Sequence, residues 1–159
     1  MRPRPRFRFT HSWVVPASPD HVREVLLDLE HYVDWWPQVR AVASAGPDDA
    51  LVVCRSFLPY DLEMRLHAES RGPDLLRVGI DGAIRGSAAW ELTAVRSGTR
   101  LDFDQEVEAV ARTLRWASYV AKPVLAANHT WMMRGAEQGM LARLGAADRR
   151  WIRRAWPRG

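Results

Sequence analysis

Residues 122–145 read Lys122-Pro123-Val124-Leu125-Ala126-Ala127-Asn128-His129-Thr130-Trp131-Met132-Met133-Arg134-Gly135-Ala136-Glu137-Gln138-Gly139-Met140-Leu141-Ala142-Arg143-Leu144-Gly145. On a helical wheel, Ala121, Val124, Leu125, Asn128, Trp131, Met132, Gly135, Ala136 and Gly139 share one broad face. Thr130, Arg134, Glu137 and Gln138 fall opposite. The spacing predicts one long amphipathic helix over 115–145, in which Pro123 forces either a kink or a late start. Such a helix needs an apolar surface to cover its stripe, and the rest of the chain must supply it.

The preceding stretch supplies a sheet. Gly46-Pro47-Asp48-Asp49, Arg71-Gly72-Pro73-Asp74, Asp81-Gly82 and Ser97-Gly98 are turn signals at regular spacing. Between them lie extended runs near 39–45, 50–58, 60–70, 75–80, 84–95 and 99–108. Residues 6–15 alternate in the same way, with Phe7, Phe9, His11, Trp13 and Val15 on one side. After that first strand, Ser18-Pro19-Asp20 is a helix start with Ser18 as cap and Pro19 at the first helical position. Val22, Val25, Leu26 and Leu29 follow at helical spacing. A second short helix carries Tyr32, Trp35 and Trp36 and is stopped by Pro37. The predicted fold class is α+β: a seven-stranded curved antiparallel sheet wrapped around a long C-terminal helix, with two short helices after strand 1. Residues 1–159 form one domain on this reading, with a core over 6–145 and a basic tail over 146–159.

Composition narrows the function classes. The 159 residues are 47% apolar and 26% charged, which is the balance of a folded globular chain. The net charge of +4 sits at the ends: residues 1–8 carry four arginines, residues 149–159 carry five, and neither end holds an acid. That leaves 14 basic against 19 acidic residues in the body, so nucleic acid is not an expected partner. A lone cysteine, Cys54, excludes an intramolecular disulfide, and its apolar run Leu51-Val52-Val53 points to a buried, inert thiol. No stretch has the length of a membrane span or a signal peptide, so the expected compartment is the cytoplasm. Lys122 is the only lysine, and the arginine bias suggests a bacterial genome.

The element order and certain residues together resemble the START/Bet v 1-like helix-grip superfamily, which includes the polyketide cyclase/dehydrase and lipid-transport group. The matching pieces are Val14-Val15-Pro16-Ala17-Ser18-Pro19 with Val22 and Leu26-Leu27-Asp28, then Tyr32 and Trp35-Trp36-Pro37. Further on come Gly86-Ser87-Ala88-Ala89-Trp90-Glu91-Leu92, Gly98-Thr99-Arg100 and Asn128-His129-Thr130-Trp131-Met132-Met133-Arg134-Gly135. The resemblance covers about residues 6 to 145. It implies a cavity between sheet and helix, used elsewhere in the superfamily to carry lipids, hormones or quinones or to cyclise aromatic polyketides. Fold alone does not choose among these.

Strand phase identifies the candidate wall residues. In 60–70, Tyr60, Leu62, Met64, Leu66 and Ala68 share the apolar face, and Asp61, Glu63, Arg65, His67 and Glu69 share the other. The resemblance implies that aromatic cyclases place an arginine inward near this strand. This phase offers none, although a one-residue bulge would bring in Arg65 and His67. Ile84, Gly86, Ala88, Trp90 and Leu92 face inward on one later strand, and Leu101, Phe103, Gln105 and Val107 on the next. The small residues Gly86, Ala88, Gly135 and Gly139 either leave room for a ligand or allow close helix–sheet packing. The expected ligand-binding set is Tyr60, Leu62, Met64, Leu66, Trp90, Phe103, Gln105, Asn128, Trp131, Met132 and Gly135.

Chemistry-bearing residues are sparse. Tyr60, Asn128 and His129 are the candidate proton handlers if the chain is an enzyme. Asn128 either meets a ligand or is tied to backbone or a strand side chain, and His129 is either a base or a hydrogen-bonded structural residue. His11, His21, His31 and His67 show no metal-ligand spacing, and no cofactor or metal is expected. Asp102, Asp104, Glu106 and Glu108 alternate on the face opposite Leu101 and Phe103 and read as a solvated surface. The tail Arg149-Arg150-Trp151-Ile152-Arg153-Arg154-Ala155-Trp156 either extends the helix and docks its tryptophans or makes peripheral contact with an anionic membrane. The sequence thus points to a binding or carrier protein for a small hydrophobic, aromatic or polycyclic molecule. The alternative is a polyketide cyclase/aromatase-type enzyme using the same cavity.

Overall fold

The computed structural model describes residues 5–56, 59–112, 115 and 122–155, with side chains as far as Gly145. Alternating apolar residues build seven strands: β1 (Arg6–Val15), β2 (Val39–Ser44), β3 (Asp49–Arg55), β4 (Asp61–Arg71), β5 (Leu75–Gly82), β6 (Ile84–Val95) and β7 (Gly98–Ala109). All are antiparallel in one curved sheet with the order β1-β7-β6-β5-β4-β3-β2. Strands β2 to β7 form a meander, and β1 returns beside β7, so the chain crosses between the two sheet edges after its first strand.

That crossing is made by α1 (Pro19–Leu27), a 3-10 turn over Leu29–His31, and α2 (Tyr32–Trp35). Ser18 caps α1 by accepting a hydrogen bond from the His21 N–H at 3.3 Å, with Pro19 in the first turn, as its position in the sequence predicts. Val22, Val25 and Leu26 bury the inner side of α1. The Tyr32 hydroxyl donates to the Leu26 carbonyl at 2.6 Å and locks α2 onto the end of α1.

The long helix is α3 (Lys122–Ala155). Pro123 falls in its first described turn, where the missing N–H is harmless. Residues 113–114 and 116–121, part of the expected helix, lie outside the described residues. The backbone helix continues unbroken past Gly145 to Ala155, whereas the packing of Trp151 and Trp156 lies outside the described residues.

The buried stripe of α3 differs from the wheel. Leu125, Asn128, Met133, Ala136, Met140 and Leu144 are buried, while Trp131 is 40% exposed and Val124 is likewise exposed. The cause is position: α3 lies along β1 and α2 rather than over the sheet's midline, which turns its buried side toward Met133 and Met140. Glu137, expected on the outer face, accordingly meets His11 of β1 at 3.2 Å.

The helix glycines allow close packing. A Cβ at Gly139 would collide with the Trp35 carbonyl oxygen, and one at Gly135 with the side-chain amide of Gln38. Gly86 (φ +155°) serves a similar end within the sheet, since a Cβ there would strike the Glu106 carbonyl of β7. At these three positions the missing side chain allows close packing, whereas Ala88, the fourth small residue, borders a cavity.

Candidate functional site

The concave face of the sheet has inward-pointing residues that α3 does not cover. Along β4, Leu62, Met64, Leu66, Ala68 and Ser70 are half-buried, and Asp61, Glu63, Arg65, His67, Glu69 and Arg71 are exposed. The apolar phase is therefore the inward one. A register shift does occur against β5 between Ala68 and Ser70, but it lies beyond Arg65 and His67 and does not turn them inward. Both instead pair outside with Asp49, at 3.2 and 3.3 Å.

In front of these residues lies a cavity of about 370 Å³. Its deep wall is built by Val52, Met64, Leu66, Ile80, Trp90 and Phe103, with Gln105 and Ala88 beside them. Each is the inward member of an alternating strand, so the sheet's pleat alone aims them at a common space. The end of α1 and the start of the 3-10 turn (residues 26–30), with Tyr32 and Trp36, close one side. Asp28, Glu30, Asp48, Asp49, Arg71 and Arg77 line the cavity as well, where polar rim meets apolar interior. The rim is cross-tied: Arg71 donates to Asp48 at 2.5 Å and to the Pro47 carbonyl at 2.9 Å. Arg23 of α1 donates to the carbonyls of Arg71 and Gly72 at 2.6 and 2.8 Å.

Of the residues expected to bind a ligand, Met64, Leu66, Trp90, Phe103 and Gln105 line this cavity. The others sit elsewhere. Tyr60, Leu62 and Met132 pack against the core beside it. Gly135 faces Gln38 instead, and Trp131 points outward. Asn128 is buried but tied down: its Oδ1 accepts from the Ser56 hydroxyl at 3.1 Å, and its amide approaches the Met132 sulfur at 3.7 Å. All four helix positions were placed inward by the same wheel, and the lateral seat of α3 explains why they miss the cavity. Conversely, Ala50, Val52 and Cys54 of β3 and the segment 26–30 were overlooked. The β3 residues are legible in hindsight, because their alternation continues the phase of β4 across the register Val52↔Met64 and Cys54↔Leu62. The 26–30 segment carries no such signal.

Away from the charged rim of Asp28, Glu30, Asp48, Asp49, Arg71 and Arg77, the titratable groups near the cavity are poorly placed for proton transfer near neutral pH. Cys54 is buried, and that burial pushes its thiol up to about 12. Burial also raises Tyr60, which keeps the phenol protonated. His129 is stacked on Phe9 (centroids 4.3 Å apart, planes 10° apart) and on Phe103 at 5.7 Å. Its Nε2 lies 3.1 Å from Gln105 Oε1. Burial, and then the neighbouring His11, push the imidazole down to about 4, so the ring is neutral and a weak base. The β7 carboxylates lie on the outer face. There a hydrogen bond from Arg8 holds Asp104, and one from Ser12 holds Asp102, below the usual carboxylate range.

A family described as polyketide cyclase / dehydrase and lipid transport matches residues 6–147. The chain belongs to this family. The polyketide cyclase/dehydrase and lipid-transport fold is a START-type ligand-binding domain, and solved structures bear the fold out. A START superfamily protein from Mycobacterium smegmatis superposes with a TM-score of 0.73 at 11% identity, over 88% of this chain and 98% of that one. The Zhui aromatase/cyclase from Streptomyces sp. R1128 gives 0.65 at 17% identity, over 91% and 95%. The di-domain ARO/CYC StfQ from the steffimycin biosynthetic pathway gives 0.61 at 16% identity, over 88% of this chain and 52% of that one. At such identities the likeness is one of fold. No curated protein matches the chain by sequence. Among the described residues, no helix is long and apolar enough to cross a membrane.

Proposed function

We propose that the protein binds a small hydrophobic molecule, aromatic or polycyclic in character, in this cavity and carries it unchanged. The observation that supports carriage over catalysis is the chemistry of the deep wall. Val52, Met64, Leu66, Ile80, Trp90 and Phe103 present hydrocarbon and rings, and Gln105 presents an uncharged amide. Arg65 and His67 point away, the Cys54 thiol is held protonated, and His129 is a neutral, weak base already bonded to Gln105. A cyclase or aromatase needs at least one acid or base positioned against its substrate, and the carboxylates of this cavity, Asp28, Glu30, Asp48 and Asp49, belong to its rim and not to the apolar wall. The cavity volume is within the range of small-molecule sites, and burial of apolar surface there favours binding without charge pairing.

The test is binding of the naphthalene probe 1-anilinonaphthalene-8-sulfonate to the wild type and to Ala88→Trp. Ala88 is buried on the cavity wall, and an indole there fills the space. Wild-type binding that disappears in the folded variant supports the cavity as the site. Undiminished binding in Ala88→Trp places the ligand elsewhere. Native mass spectrometry of protein purified from its source then gives the mass of the cargo. Turnover of a polyketide-like substrate that depends on Tyr60 or His129 overturns the carrier reading in favour of the cyclase.

A further inference from the structure

We infer that Gln105 is a selectivity residue: its amide NH2, oriented by His129, selects ligands carrying a hydrogen-bond-accepting oxygen such as a ketone, quinone or ester. The inference rests on the proposed use of the cavity and goes further by naming the ligand's polar group. It starts from the register of β7. Gln105 shares the inward side with Leu101, Phe103 and Val107, lies opposite Phe9 of β1 and Ala88 of β6, and borders the cavity. It is a polar side chain on a wall of rings and hydrocarbon.

A primary amide offers one accepting oxygen and two donor hydrogens, so on its own it recognises donors and acceptors alike. Here the oxygen is already engaged. His129 Nε2 lies 3.1 Å from Gln105 Oε1, and in its Nε2–H tautomer the imidazole donates to that oxygen. The ring is flanked by neighbours that hold its plane, with Phe9 stacked on it at 4.3 Å and Phe103 at 5.7 Å. A neutral His129 also leaves no net charge beside the amide, so the site favours a neutral acceptor over an anion. With one lone pair of the oxygen engaged by the ring, the NH2 is the arm of Gln105 that has no partner among the described residues, and it is the arm assigned to the ligand. A buried donor that finds no acceptor is costly, so a ligand that supplies one is favoured over an isostere that does not.

The other polar lining groups away from the rim are committed. The Tyr32 hydroxyl donates to Leu26, the Trp36 indole to the Met132 carbonyl at 3.0 Å, and Ser70 to the Leu75 carbonyl at 3.2 Å. Of the charged lining residues, Asp48, Asp49 and Arg71 belong to the turn before β3, to β3 and to β4, on the other side of the sheet from β7, while Arg77 of β5 is exposed. The ligand class is therefore a fused-ring or aromatic body with an accepting oxygen on the part that reaches β7.

The experiment compares 2-acetylnaphthalene with 2-ethylnaphthalene, which have nearly the same shape and differ in the carbonyl. Isothermal titration of the full-length wild type is expected to favour the ketone by about threefold to tenfold, the worth of one hydrogen bond. Gln105→Leu, and Gln105→Met should the first fold poorly, are expected to bring the ratio to about one while both probes still bind. His129→Phe keeps the stacking and removes the N–H, and is expected to reduce the preference because the amide is free to turn. Infrared spectra of bound 2-acetylnaphthalene add a readout that a structural role would not move: a lowered carbonyl stretch in the wild type that reverts in Gln105→Leu. Equal affinities in the wild type, or a preference and band shift that survive Gln105→Leu, overturn the assignment. If both probes bind equally and Ala88→Trp abolishes both, only the Gln105 assignment falls. If neither probe binds, or binding survives Ala88→Trp, the cavity reading falls with it.

Discussion

The two halves of the concave face are made by the same alternation and end differently. On the β1–β7 side, Val15, Leu101, Ala136 and Met140 are completely shielded from solvent. On the β3–β4 side, Ala50, Val52 and Cys54 of β3 are buried, but Leu62, Met64 and Leu66 of β4 remain half-buried, and Met64 and Leu66 face a cavity of about 370 Å³. The difference is the cover. Helix α3 lies against β1 and α2, where Gly139 lets it approach the Trp35 backbone and Gly135 the Gln38 side chain, and it packs less against β3 and β4. An inward apolar residue is thus core where an element seats on it and wall where none does. One half holds the fold together, and the other is left open for a ligand.

The comparison breaks most severely if the helix is lifted off its seat. Gly139→Val places branched carbon against the Trp35 carbonyl, which is backbone and cannot rotate away. The expected cost is well above the ~1–3 kcal/mol of ordinary overpacking, with loss of a cooperative thermal transition. A variant that melts like the wild type would show that α3 is not seated on α2. Next is Met140→Ala in the closed half. With no exposed surface to begin with, the side chain leaves an unfilled cavity, and about 3–4 kcal/mol should be lost in urea titrations.

Acid should weaken the closed half too. His129 titrates near 4 in the folded protein and near 6.5 when unfolded. Between those values the unfolded chain binds the extra proton, so the contribution is full above about pH 6.5, declines as pH falls, and is gone below about 4. The shift corresponds to up to about 3 kcal/mol. Asp49, Asp81, Asp102 and Asp104, held below their ordinary value of 3.8, act in a lower window and do not mimic it. Urea unfolding at about pH 7 and about pH 4.5 should show the loss in the wild type and not in His129→Phe. Equal losses in both would detach it from this ring.

The strands, the capped α1 and the stop at Pro37 were all legible, because each rests on local rules of alternation, capping or proline geometry. So was the inward phase of β4. The seat of α3 was not. A wheel shows that a stripe exists, but which part of it is buried depends on where the helix lies across the sheet, and that is a tertiary fact. For that reason Trp131 and Gly135 were assigned to a cavity that neither lines, while Met133 and Met140 were passed over. His129 was placed at the edge of the stripe, where its partnership with Gln105 depends on the strand register of β7 against the helix. The cavity's 26–30 side depends on the chain's crossing after α1, which no periodicity encodes.

The smallest expected effect sharpens the comparison most. Leu66→Ala removes about as many carbons as Met140→Ala, from a residue of the same inward type in the same sheet. Leu66 is only half-buried and already borders empty space, so truncation widens an existing cavity and strips fewer packed contacts. The loss is then the transfer of part of a side chain, about 1 kcal/mol, against the 3–4 kcal/mol at Met140. Thermal melts of the two variants side by side measure the ratio. The same widening should let Leu66→Ala accept a three-ring aromatic probe more tightly than the wild type does, although the protein is slightly less stable. Equal destabilisation by the two truncations would mean that the β3–β4 half is packed as tightly as the other, and the distinction between core and wall would be lost. A small cost at Leu66 together with tighter binding of the larger probe requires that this side of the sheet be kept open for a guest.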